Sequence, residues 1–167
     1  MILQIDDWKF DIDMERTMAY SANEAAEHCD CAYCRNFYAA VDSTFPSLRP
    51  ILAKFGIDVE APDELMPFTA TNMETYYAVS GKIVQYGKGS IPCDGLNIYP
   101  EPPEVSLVNT ECPRPAFFIH VGCFDLPWVL DEPLVEDEIV SPANEPSFLK
   151  KMWQKLLGKM PKDTIKS

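Results

Sequence analysis

The stretch Pro115-Ala116-Phe117-Phe118-Ile119-His120-Val121-Gly122-Cys123-Phe124 constrains the fold of this chain more than any other. Read as a strand, it has Phe117, Ile119, Val121 and Cys123 on one face and Phe118, His120, Gly122 and Phe124 on the other. Both faces are largely apolar, which is the pattern of a strand covered on both sides. Residues 8–14 (WKFDIDM) instead alternate without error, predicting a half-buried strand with Lys9, Asp11 and Asp13 on its wet face. Residues 66–71, 75–79, 82–86 and 95–99 read as short strands rich in β-branched and aromatic side chains. Ser80-Gly81, residues 87–90 and Asp94-Gly95 are the expected turns between them. Residues 105–108 and 126–130 add two further expected strands, on either side of the doubly apolar one.

Helical spacing marks the remainder. Ser21-Ala22-Asn23-Glu24 offers cap chemistry for a short turn. Residues 33–41 favour helix, with Phe37, Tyr38 and Val41 on one face, and Ser43 to Pro46 break it. A second helix fits residues 47–55, with Leu48, Ile51, Leu52 and Phe55 at helical spacing. Gly56 then serves as the left-handed residue that ends it, and Ile57 makes the accompanying apolar contact. Residues 146–167 predict a basic amphipathic helix after an acidic, proline-bearing linker. The expected architecture is α+β: N-terminal helices packed on a mainly antiparallel sheet in one domain, residues 1–145, with the 146–167 helix packed on it.

Charge narrows the partners. The chain of 167 residues carries −12 overall, divided into −17 over the first 145 residues and +5 from Pro146 onward. A body this acidic repels phosphate backbones, which argues against nucleic acid; the charge serves solubility or, in the sharper reading, a basic protein partner. The N-terminus has neither a basic region nor a continuous apolar run, and no apolar stretch approaches the ~20 residues needed to span a bilayer. A cytoplasmic protein with reduced thiols is expected. The six cysteines do not require a disulfide framework in a chain this long and this apolar.

Three of those cysteines fall within six positions, in His28-Cys29-Asp30-Cys31-Ala32-Tyr33-Cys34. Cys31 and Cys34 have the C-x-x-C spacing of a chelating half-site for zinc, and Cys29 adds a third thiolate from the preceding turn. His28 adjoins Cys29, so the two do not both reach one ion. A fourth ligand has to come from Cys93, Cys112, Cys123, His120 or water. On a regular strand His120 and Cys123 point to opposite faces, so only one of them is available. The same residues support a thiol-dependent redox enzyme using Cys31 or Cys34 at a helix N-terminus, where the dipole lowers a thiol pKa. Glu24, Glu27 and Asp30 oppose that effect and Arg35 assists it. In the blandest case the cysteines pack a turn as small hydrophobes. No other constellation carries catalysis: there is no G-x-S-x-G or H-E-x-x-H. The glycines from Gly81 to Gly89 have the wrong spacing for a phosphate loop, and His120 on an apolar strand reads as a satisfied core histidine.

Cys31-Ala-Tyr-Cys34-Arg35-Asn36-Phe37-Tyr38-Ala39-Ala40 resembles a motif in a family of small bacterial proteins of unknown function. Phe55-Gly56-Ile57-Asp58 leading to Pro62-Asp63-Glu64, and Pro127-Trp128-Val129-Leu130-Asp131-Glu132, agree in the same order. The resemblance spans residues 8–132 and implies a bacterial cytosolic source, without catalytic roles to transfer. The expected function is a small zinc-binding or interaction protein rather than an enzyme, its ligands being Cys29, Cys31 and Cys34. The alternatives are the thiol enzyme and an acidic, immunity-type binding protein.

Overall fold

The doubly apolar segment is an inner strand of a seven-stranded antiparallel sheet. The computed structural model describes residues 1–26, 29–106 and 108–132, all within one unit, Met1–Leu134. The predicted 146–167 helix, its linker beyond residue 132 and His28 lie outside the described residues. In chain order the elements are β1 (Ile2–Ile5), β2 (Trp8–Ile12), α1 (Met14–Ala26), α2 (Ala32–Thr44), α3 (Leu48–Ala53), β3 (Glu64–Pro67), β4 (Asn72–Gln85), β5 (Ile91–Cys93), β6 (Leu96–Glu101) and β7 (Ala116–Asp125). The sheet order is β1-β2-β4-β7-β6-β5, with β3 pairing β4 as well. The fold is α+β, as expected.

Both faces of β7 are covered. Phe117, Ile119 and Val121 enter the main core with Phe10 of β2, Phe37 and Val41 of α2, and Leu48 and Leu52 of α3. Phe10 stacks on Phe117 at 5.4 Å and meets the edge of Phe55 at 5.1 Å. Phe118 joins Tyr76, Ala78, Val108 and Cys112 in a smaller apolar cluster on the opposite face. Each large apolar side chain buried this way contributes roughly 1.5–3 kcal/mol, which makes the two clusters the main stabilising term.

The local patterns hold where one segment decides its own fate. Trp8, Phe10 and Ile12 are buried in β2 while Asp11 is exposed. Gly56 sits at φ +84° after α3, and the Ile57 amide donates to Leu52 O at 3.3 Å. Asp94 and Gly95, at φ +49° and +82°, close the two-residue turn between β5 and β6.

Elsewhere the structure departs from the pattern. Ser80-Gly81 is not a turn, because β4 runs through it without interruption. Gly81 is required there by a close approach: a Cβ at this position would stand 2.3 Å from the Asp11 carbonyl oxygen of β2. The glycine is therefore a pairing device, not a breaker. Ser21 to Glu24 lie inside the 13-residue α1, and Ser21 Oγ accepts from the Asp58 amide at 2.9 Å. The short β1 and β5 were not expected. Residues 105, 106 and 108 are irregular, and 126–130 form no strand, although Leu126 N donates to Thr71 O at 2.7 Å.

β7 itself breaks its alternation. Thr75 faces Val121 and Met73 faces Phe124, so one residue of β4 opposes two of β7, Gly122 and Cys123. This bulge turns Phe124 into the main core and leaves Cys123 exposed, reversing the expected faces of both.

Asp63 fastens α1 and the loop before β7 to the sheet. Its carboxylate accepts from the Ala78 amide at 2.7 Å and from Tyr20 OH at 2.6 Å, and Tyr20 OH also meets Thr110 Oγ1 at 2.9 Å. Burial pushes the Asp63 carboxyl above its ordinary value, against the hydrogen bonds from Thr110, Tyr20 and the Ala78 amide. A folded pKa above the unfolded one means that this group's stability contribution is full below the unfolded value and falls as pH rises through the folded value. Asp63→Ala is expected to cost about 2 kcal/mol in urea unfolding, because it leaves the Ala78 N–H without its acceptor. In Asp63→Asn the amide keeps an acceptor for Ala78. That variant should lie within about 1 kcal/mol of the parent at pH 7, with the parent gaining on it as pH falls towards 4. A parent advantage that instead shrinks on acidification would contradict this account.

Candidate metal centre

α2 begins at the cysteine cluster. Cys31 is extended at φ −72°, ψ 158°, and its carbonyl accepts the first helical hydrogen bond from Arg35 N at 3.0 Å. No glycine or proline interrupts the run that follows, so the helix carries Cys34, Phe37 and Val41 on one buried stripe. Cys29 and Cys31, on the approach to the helix, are exposed, while Cys34 is 7% exposed. The three sulfurs all lie within 4.8 Å of one another, and they are the one such ligand group among the described residues. Zinc bound to thiolates at about 2.3 Å places them about 3.8 Å apart, so each pair has to close by at most about 1 Å.

The sulfurs share their protons unequally. Cys31 is brought down to about 5, first by a hydrogen bond from the Cys34 thiol. Burial opposes this; the Cys34 amide, the Cys29 thiol and the Tyr33 amide assist, although no cap hydrogen bond of normal geometry is closed. Cys34 is pushed up, because it remains the donor in that bond and is buried. Tyr38, one turn further along α2, is raised first by burial and then by the Cys34 charge and a hydrogen bond with it. Arg35 was expected to be the cation favouring a thiolate. Instead its guanidinium is bound to Asp30 and Glu132, and the neighbouring thiols and amides take that role.

Packing as small hydrophobes describes Cys34 but not the exposed Cys29 and Cys31. The sheet supplies no fourth ligand among the described residues. Cys93 is in the main core, Cys112 is in the second cluster, and His120 and Cys123 lie on the sheet face away from the core that receives Cys34.

Residues 126–132 buttress the cluster. Asn36, fully buried, donates from Nδ2 to Pro127 O at 3.0 Å and accepts at Oδ1 from Val129 N at 2.7 Å. The Trp128 ring meets Tyr33 edge-on at 6.1 Å, and its Nε1 donates to Glu132 O at 3.0 Å. Arg35 completes the fastening through Glu132. Arg49 ties Asp58 of the 55–58 stretch to Asp42 of α2 by ion pairs of 2.9 and 2.8 Å. Sequence reasoning gave Asn36, Trp128 and Glu132 no role at the site, and Tyr38 only a place on the helix face with Phe37 and Val41. The available signal was the joint occurrence of C-R-N-F and P-W-V-L-D-E, whose side chains meet here. No helix among the described residues is long and apolar enough to cross a membrane. No family model matches the chain, and no curated protein or solved structure matches it either.

Proposed function

We propose that this chain is a metal-binding protein that holds zinc on Cys29, Cys31 and Cys34. The observation that carries the reading is the convergence of three thiols, two of them exposed, within 4.8 Å at the start of one helix. Three thiolates suit zinc and other thiophilic ions, and the α2 N-terminus adds a favourable dipole. The fourth position falls to water or to an arriving group, so the ion is open to exchange on its exposed side. The buttress of Asn36, Trp128, Arg35 and Glu132 holds the loop in place before the metal arrives. We extend the same arrangement to the bacterial family whose motifs the chain resembles, since two of the three similar stretches, 31–40 and 127–132, meet at the cluster.

A second reading, thiol–disulfide exchange, draws on the lowered Cys31 beside the buried Cys34. Metal analysis separates the two. Protein purified without added zinc should carry close to one equivalent, and loss of any one of the three cysteines should abolish it. Less than a tenth of an equivalent sinks the zinc reading. Metal-free protein in which Cys31 and Cys34 form a disulfide that a dithiol reduces reversibly would favour exchange.

A further inference from the structure

β4 outruns the strand beside it. Residues 72–80 of β4 pair with β7, which begins at Ala116 opposite Ser80, while residues 81–85 continue along β2 alone. The last backbone hydrogen bond on the β7 side runs from Gly81 N to Pro115 O at 2.7 Å. Alternation then turns the N–H and C=O of Ile83 to that side, where no described strand lies to take them. A sheet edge left open in this way accepts an added strand.

The open edge lines a groove of about 580 Å³. Lys82, Ile83 and the exposed Tyr86 form its β4 side. Pro102 and Pro103, just past β6, stand on the other side with Glu104. Prolines have no N–H, and Pro102 O already accepts from Val105 N at 3.1 Å, so that side offers apolar surface and leaves backbone pairing to β4. Arg114, immediately before β7, lines the same groove. Arg16, Arg35 and Arg49 are each bound to carboxylates. Arg114 is the one arginine of four without an ion pair among the described residues, and Lys82 has none either. In a chain of −12 this is a local excess of positive charge, opposed in the groove by Glu104 alone.

We propose that this groove binds an acidic peptide in extended form, which adds to β4 as a strand. Its backbone pairs with the Ile83 N–H and C=O, its carboxylates meet Lys82 and Arg114, and its apolar side chains lie against Tyr86, Pro102 and Pro103. The body as a whole repels such a ligand, so recognition is confined to the short-range contacts of the groove. The site needs no metal and therefore stands or falls apart from the zinc reading.

The test is a titration of the isotope-labelled full chain with a capped peptide of about ten residues that alternates glutamate and valine, followed by amide NMR shifts and hydrogen exchange. Binding should be evident below ~1 mM peptide, and exchange at the Ile83 amide should slow at least ~10-fold on saturation. The double variant Lys82→Glu/Arg114→Glu should weaken binding at least ~10-fold; both side chains are exposed, so the fold survives the change. A peptide with lysine in place of glutamate should not bind, and one with proline in place of valine should leave Ile83 unprotected. Absence of binding by ~1 mM overturns the proposal. So does equal binding of the lysine peptide, or binding that leaves the Ile83 amide unprotected. An Ile83 amide whose protection rises with protein concentration alone would make a second copy the occupant and overturn it as well.

Discussion

Serine at Cys31 is expected to lower zinc affinity by ~100-fold or more, measured by competition with a chromophoric chelator. Cys31 is exposed, receives hydrogen bonds from both other thiols of the group, and is the sulfur most ready to lose its proton. Serine keeps the shape and removes the soft donor, so the helix should still form while the ion is left with two thiolates. Stability should report the same loss. A ligand at 100 times its Kd adds about 2.7 kcal/mol to the unfolding free energy, an increment the parent should show with zinc and the variant should not. Acid should weaken binding in the parent, because protons compete for all three sulfurs. An affinity unchanged in Cys31→Ser would remove this cysteine from the site.

Asn36→Ala is expected to cost about 2–3 kcal/mol, the largest stability loss predicted here for a single side chain, since it empties a fully buried position and leaves the partly buried Val129 N–H and Pro127 C=O without their partner. The Asn36 amide satisfies Pro127 O and Val129 N as a neighbouring strand would, and α2 holds it fully buried while it does so. Asn36→Asp keeps the bond from Val129 but sets an acceptor against Pro127 O. It should be nearly as destabilised at neutral pH and should recover on acidification, when the protonated carboxyl donates again. Urea unfolding gives the magnitude, and hydrogen exchange at the Val129 amide gives the place. A loss below ~0.5 kcal/mol, or a Val129 amide still protected in the alanine variant, would show that residues 127–129 are held by something else.

The candidate site was legible as a spacing. C-x-C-x-x-C at a helix start places three sulfurs within reach of one another through local geometry alone, and the structure keeps them there. Its surroundings were not legible. Arg35 read as the cation beside the thiols, yet a partner 97 residues away takes it up. Asn36 looked like one polar residue on a helix, and its meaning depends on a segment that arrives 91 residues later.

The two-sided burial of β7, the alternation of β2 and the left-handed Gly56 after α3 belonged to the sequence, because each is set by periodicity or by one residue's own backbone preference; α3 itself stops at Ala53, short of the expected residue 55. The tertiary structure decided matters that depend on what comes close. Gly81 reads as a turn until the Asp11 carbonyl of β2 occupies the space of its missing side chain. His120 and Cys123 belong to opposite faces until β7 takes two residues against one of β4, and only then do both reach Glu74. A periodic pattern records which way a side chain points along its own strand; register against a neighbour decides what it meets.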